Sequence, residues 1–503
     1  MTTETASGIA ATTARTLELI KEAQASPAPY PFSKAYLEST SATSGLTYYD
    51  LEAGAKTLYP VLTPLRNRIP RTGGGAGIQA NWRSITGVNV QNAGIGVSEG
   101  NRGVVQAITT QDNVAAYKGI GLEDYVTFEA DYAAKGFDDL RGLAAMNLLR
   151  ALMIGEEKLL IGGNNSLSLG TTPTPTTSTA TSGGSLAAAT YNVYCVALTM
   201  DGYLASSVAG GLPLSGSRTL ADGTTESYNQ GTAQKSAAAS QATTGSTSTI
   251  SASVSAVNGA VAYAWFWGTS GNELLGAITT INSVTIAAEA GGTQNVSAGF
   301  ASDYSANSLV FDGMLSQIMK SGSNAYVHTM ATGTAGSGTP LTSDGAGGIV
   351  EIDAALRAFW DNYRLSPTDI YVSSQEQANI SAKILSGTTS SAQRFTFTVD
   401  QGAIAGGVMV RSYLNKFSLD GAQEIPVRLH PNLPAGTLLF YSDGIPYPLS
   451  NVGNVLQVRT RQDYYQLQWP VRSRRYEYGV YADEVLQCYF PPAFGVIRNI
   501  ANG

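Results

Sequence analysis

The sequence predicts a mixed α+β fold threaded by one long helix and interrupted by an all-β segment. Three observations predict it. Residues 138–161 hold an unbroken apolar helical pattern, charge almost vanishes between residues 167 and 300, and strand and helix patterns alternate from residue 309 onward. At 503 residues and 52.5 kDa, a prior of about 150 residues per domain gives roughly three domains. Charged residues make up 13%, about half of the usual ~25%, and mean hydropathy is -0.02. No run reaches the roughly 18 apolar residues of a membrane span, so the reading is of a protein that does not contact a membrane.

Taken in order, Met1 to Ala10 carries Glu4 and neither a basic residue nor an apolar stretch, which predicts synthesis inside the cell without a secretory signal. Residues 78–90 and 102–110 read as two strands of a long hairpin, preceded by a flexible glycine joint at residues 73–77. An isolated hairpin is marginally stable in water, so the chain through about Tyr117 is expected to lie against other molecules. Next comes the helix over 138–161, with Asp138 as its cap, Asp139 in its first turn and Gly162–Gly163 as its stop. About 35 Å long, it is apolar around nearly its whole circumference, which requires cover on more than one side.

Residues 167–300 hold 7 charged side chains in 134 positions, against 60 in the other 369. The Pro/Thr stretch at 171–178 suits a stiff linker into an inserted unit, and residues 191–197, 259–268 and 274–286 read as its strands. Their wording loosely resembles fibronectin type III or immunoglobulin-like modules. Beyond the insertion, helices are predicted at 309–319, 350–363 and 374–385. Strands follow at 370–372, 394–399, 408–417, 437–441, 455–461, 464–469 and 477–490.

Few motifs carry chemistry. Gly96-Val-Ser98-Glu-Gly100 matches a nucleophile elbow in letters, but Asn and Gly precede it and no helix pattern follows. Gly75-Ala-Gly77 lacks the strand and helix of a dinucleotide site, no P-loop signature occurs, and two distant histidines with two lone cysteines give no zinc spacing. No cofactor or metal is expected, and Cys195 and Cys488 read as buried thiols. A net charge of -7 argues against a dedicated nucleic-acid binder. Arg459, Arg461, Arg472, Arg474 and Arg475, interleaved with tyrosines, read as strand-borne ion pairing at a protein interface. Arg66, Arg68, Arg71 and Arg102 with Glu99 form a second set on the joint and hairpin, suited to interface carboxylates because guanidinium forks bind them in a fixed geometry. Twenty-six tyrosines against 13 phenylalanines add a small hint of extensive interfaces.

The order of parts, with the wording of residues 62–71, 99–103, 128–140 and 155–164, resembles the major capsid protein of tailed double-stranded-DNA bacteriophages with the Hong Kong 97-type fold. The resemblance implies an N-terminal arm over 1–65, an E-loop hairpin over 66–117 and a P-domain with the spine helix over 118–166. It further implies an A-domain over 304–440 and a return to P-domain strands over 441–503, with the β-sandwich insertion at 167–303 lying outside the family pattern. It implies a structural protein, not an enzyme, that assembles as hexamers and pentamers into an icosahedral shell around phage DNA, contacting that DNA weakly and non-specifically. Arg66, Arg68, Arg71, Trp82, Glu99 and Arg102 would be inter-subunit contacts. Synthesis in the host bacterial cytoplasm, residence in the virion capsid, a portal protein and a decoration protein follow from the same resemblance.

Two departures shape the expectation. No lysine lies between Arg71 and Tyr117, which removes the E-loop lysine that covalent chainmail requires. No helical scaffolding segment precedes the family-like sequence, so a separate scaffolding protein and an uncleaved chain are expected. The insertion is expected to project outward with a core of its own, and its deletion to leave subunit folding largely possible. Two rival readings remain: a tail-fibre or adhesin-like glycan-binding protein, and an α/β esterase using Ser98.

Overall fold

The computed structural model describes residues 61–88, 96–103, 108–135, 139–220, 223–297, 299–385, 409–418, 421–448 and 450–502. Residues 1–60 of the arm expected over 1–65, the hairpin tip at 89–95, the cap Asp138 and the strand at 394–399 lie outside the described residues. Of the described chain, residues 123–148 and 467–479 form one unit and residues 61–122, 149–466 and 480–502 another.

The chain begins with α1 (Pro64–Arg68) and β1 (Arg71–Thr72), followed by β2 (Gln79–Val88), β3 (Ile108–Ala116) and β4 (Lys118–Thr127). Then come α2 (Phe128–Ala134) and the spine helix α3 (Leu140–Gly162). The spine starts where Asp139 accepts the Gly142 amide at 3.1 Å, so Asp139 caps it. It stops at Gly163, whose missing Cβ leaves room for the Phe311 carbonyl, and the Gly313 amide closes on the Gly163 carbonyl at 2.7 Å.

The low-charge segment folds as β5 (Thr176–Ala180), β6 (Thr190–Leu198), α4 (Met200–Leu204), β7 (Ser215–Thr219), β8 (Thr225–Asn229) and β9 (Ala239–Ala242). It continues with β10 (Thr249–Ser253), β11 (Ala262–Gly268), β12 (Leu274–Thr279) and β13 (Ser283–Ile286). Two sheets result, ordered β13-β10-β5 and β12-β11-β6-β9, with β7 and β8 as a separate hairpin. Tyr191, Val193, Cys195 and Trp265 from one sheet share a core with Ile250, Ala252, Val284 and Ile286 from the other. The opposite face of β6 and β11 is covered too, by Leu212, Val296 and Phe300, which is why all of β11 is buried.

This segment also shares a seam with the rest of its unit. The Arg498 guanidinium donates to the Val257 and Ala260 carbonyls at 2.6 and 2.9 Å, Asn258 Nδ2 donates to the Met319 carbonyl at 2.6 Å, and Asn499 and Asn282 are bonded to each other. Most of its core is its own, but Met200 and Val261 join the core of the rest of the unit, so its attachment is more than a pair of linkers.

The remaining elements are α5 (Met314–Met319), β14 (Tyr326–Thr329), α6 (Val350–Tyr363), β15 (Asp369–Val372), α7 (Ser374–Leu385), β16 (Ser412–Asn415) and β17 (Gln423–Leu429). The chain closes with β18 (Leu438–Tyr441), β19 (Leu456–Gln468), β20 (Arg475–Cys488) and β21 (Gly495–Arg498). A six-stranded mixed sheet runs β14-β21-β18-β15-β17-β16, and Ile352, Leu356 and Phe359 of α6 join its core together with Ile380 of α7. A four-stranded sheet runs β1-β19-β20-β4.

In the smaller unit, Thr127 caps α2 by accepting the Ala130 amide at 3.3 Å. The rings of Phe128 and Tyr476 lie 4.6 Å apart, and Arg141 stacks over Tyr476 at 4.0 Å. Arg474 pairs with Glu129 and Arg475 with Glu477, while in the larger unit Arg461 pairs with Asp483.

Candidate functional site

The feature that organises the larger unit is a two-stranded ribbon and the charged root that holds it. Among the described residues β2 and β3 pair only with each other, in register from Gln79↔Ala116 to Val88↔Ile108. The described part of the second strand, Ile108–Ala116, overlaps only the end of the expected 102–110; residues 102–103 are not strand, and residues 98–101 before them make a turn, closed by the Asn101 amide on the Ser98 carbonyl. Near its base the ribbon leans on the body: Ala80 is buried, and Trp82 meets Tyr489 edge-on with ring centres 6.1 Å apart. Farther out nothing among the described residues covers it: every residue from Ile108 to Asp112 is exposed, with Ile85 and Ile108 67 and 60% exposed. Even near the base Ile78 and Val114 are 79 and 59% exposed.

The root is built the opposite way. α1 begins with Pro64 and has no side-chain cap from Thr63, so the free amides of its first turn need another acceptor. Glu157 of the spine supplies it, accepting Leu65 N at 2.9 Å and Arg66 N at 2.6 Å. The same carboxylate lies 2.6 Å from His430 Nε2. Because His430 Nδ1 accepts the Asn432 amide at 3.2 Å, the ring proton is assigned to Nε2 and is donated to Glu157.

One residue earlier, Glu156 accepts Arg66 Nε at 3.1 Å and is bonded to Arg71 Nη1 and the Tyr464 hydroxyl. Arg71 Nη2 also meets Glu484 Oε2 at 2.6 Å and Asp463 Oδ1 at 2.7 Å. Glu156 and Glu484 are completely buried and Asp463 is half-exposed. Both arginines stack over the Tyr464 ring, at 5.1 and 4.6 Å. Arg68 turns the other way, to Asp443 and Asp369, and lies over the Tyr441 ring.

Electrostatics follow from burial. For Arg68 and Arg71 burial works against the charge, but the surrounding carboxylates outweigh it and hold both guanidinium groups above their ordinary value. Burial lifts the Glu156 carboxyl despite Arg71 and Arg66. It lifts Glu484 further, to about 8, with the charge of Glu156 acting in the same direction. Chemically the root is a clamp: cationic forks on the segment entering the ribbon are gripped by acids on α3, β19 and β20.

The glycine joint is part of this clamp. Gly75 donates its amide to the Thr460 carbonyl at 3.0 Å, and a Cβ there would strike the Tyr117 hydroxyl and come within 2.9 Å of the Thr460 carbonyl. Gly74 and Gly77 take positive φ of 82° and 71°. Close packing, rather than the expected looseness, is what demands glycine at 75.

Of the six predicted contact residues, Arg66, Arg68 and Arg71 come together at the root and are met by carboxylates of their own chain. Trp82 lies at the ribbon base with its indole nitrogen buried and without a hydrogen-bond partner among the described residues. Glu99 and Arg102 are exposed in the turn at residues 96–103, with no ion pair among the described residues. Glu156, Glu157, Glu484 and His430 went unpredicted as site residues, although two adjacent acids inside an otherwise apolar helix are a signal that basic partners await them. Ser98 sits in an exposed turn, its hydroxyl accepting Asn101 Nδ2 at 2.6 Å, and not at a strand-to-helix elbow. Among the described residues no cluster of His, Cys, Asp or Glu suits a metal, and no helix is long and apolar enough to cross a membrane.

No protein-family model matches the sequence, and no curated protein matches it. Solved structures similar to the chain include the capsid of a native GTA particle, at 9% identity and a TM-score of 0.39 over 93% of this chain and 100% of that one. The capsid of cyanophage P-SCSP1u is similar at 9% identity and 0.39 over 91% and 93% of the two chains, and that of cyanophage A-1(L) at 11% and 0.39 over 90% and 97%.

Proposed function

We propose that the chain is a shell-forming structural subunit, a major capsid protein of the Hong Kong 97 type, assembling as hexamers and pentamers into an icosahedral shell around phage double-stranded DNA. One observation carries this reading: a ribbon uncovered on both faces over residues 108–112 is fixed at its base by a buried charged clamp. A two-stranded ribbon does not stabilise itself in water, so a chain that anchors one rigidly and leaves it uncovered holds it out for another molecule. Sibling copies are the natural cover, because one surface repeated in every subunit closes a symmetric assembly.

In this reading the spine helix and the strands around it are the P-domain, the six-stranded sheet lies in the A-domain, and the two-sheet insertion stands on the outer surface. Glu99, Arg102, Trp82 and the outer ribbon face contact a neighbour, while Arg66, Arg68 and Arg71 set the ribbon's direction and reach that neighbour through the half-exposed Asp443 and Asp463. With no lysine between Arg71 and Tyr117, the contacts are non-covalent. A separate scaffolding protein, a portal and a decoration protein complete the set of partners.

Negative-stain imaging and sedimentation of the purified full chain test the reading. Closed particles of many copies are expected. A population of dilute monomers whose ribbon is folded onto its own body contradicts it, and discrete trimers favour the adhesin-like alternative.

A further inference from the structure

Glu484 stands out among the acids of the root. Its Oε2 shares Arg71 Nη2 with Asp463, and its Oε1 is buried with no hydrogen-bond partner. Three carboxylates, Glu156 from α3, Glu484 from β20 and Asp463 from β19, therefore surround one guanidinium. Arg66 from α1 adds a single further fork, directed at Glu156. The Tyr464 hydroxyl also points at Glu156, and the neighbouring Asp483 is paired with Arg461. Glu157, beside Glu156, is engaged by His430 and the α1 amides. Arg459 of β19 has a buried Nε that bonds to nothing among the described residues, and it makes no hydrogen bond to Glu484 Oε1, which is likewise without a partner among them. A fully buried carboxylate with one oxygen unsolvated is costly as an anion and far less costly as the neutral acid.

We propose that Glu484 holds an exchangeable proton at neutral pH, making the junction of β1, α3 and β20 a proton-controlled joint at the ribbon's root. The ordinary carboxyl value of 4.5 applies to the unfolded chain, while burial and then Glu156 lift the folded group to about 8. The folded chain thus binds the proton that the unfolded chain has released. The contribution to stability is complete below about 4.5 and is lost as pH rises through about 8. Above that, Glu484 is charged beside Glu156 and Asp463, and the three elements that carry them repel one another.

Infrared titration of the intact chain tests this by following the carbonyl band of protonated carboxyl groups in wild type minus Glu484→Gln. Other buried acids, such as Asp201 at about 7 and Glu376 at about 6, are common to both and cancel. The expected difference is one acid band disappearing with a midpoint about 8. A flat difference overturns the proposal. If Glu484→Gln does not fold, Asp463→Asn at the half-exposed rim serves: removing that neighbouring charge should move the midpoint to lower pH, and an unmoved midpoint, or the absence of any acid titrating there, overturns it.

Discussion

At the ribbon's root Glu156, Glu157 and Glu484 are fully buried, and Arg66, Arg71, His430 and two α1 amides converge on them. A few residues along the chain, the outer parts of β2 and β3 have only each other among the described residues, with Ile85 and Ile108 facing water. The first region is over-determined and the second under-determined. Polar groups can be satisfied inside one subunit, whereas the ribbon's exposed apolar area is not covered among the described residues. On the proposed function, the difference teaches that the subunit commits its own interactions to aiming the ribbon and leaves its covering to assembly.

Breaking the root should have the largest effect. Arg71→Ala leaves Glu156 and Glu484 buried without their shared cation and should lower stability by about 3–5 kcal/mol in denaturant unfolding. Glu157→Ala strips the α1 amides and His430 of their acceptor, with an expected loss of about 2–3 kcal/mol by the same measurement. Gly75→Ala drives a methyl into Tyr117 and the Thr460 carbonyl and should cost about 1–3 kcal/mol, visible as a lower thermal midpoint. Ile85→Ser sharpens the comparison from the other side. Subunit stability should change by no more than about 0.5 kcal/mol, while particle yield by sedimentation falls sharply.

How far the sequence disclosed this varies by element. The spine was readable because its apolar residues run all round α3, and α6 and α7 because amphipathic periodicity marks them within a residue or so. β17 escaped because Pro426 and the charged Glu424 and Arg428 disguise a strand that pairs on both sides. Basic residues at 66, 68 and 71 announced carboxylate partners, but Glu156 lies 85 positions from Arg71 and Glu484 lies 413, and only the tertiary fold brings them together. Gly75 read as a flexible joint since a pattern of glycines does not distinguish freedom from close approach. The seam through Arg498 and Asn499 was equally hidden, because the partners in the low-charge segment are uncharged: backbone carbonyls for Arg498, and the side chain and amide of Asn282 for Asn499.

Hydrogen exchange of the ribbon amides, compared between dilute subunits and the assembled state, tests the central claim most directly. The account predicts that amides of residues 79–88 and 108–116 exchange readily in dilute subunits and become strongly protected on assembly, while those of α1 and β1 are protected in both. Ribbon protection that is already complete in a dilute monomer, or that does not change on assembly, would contradict it.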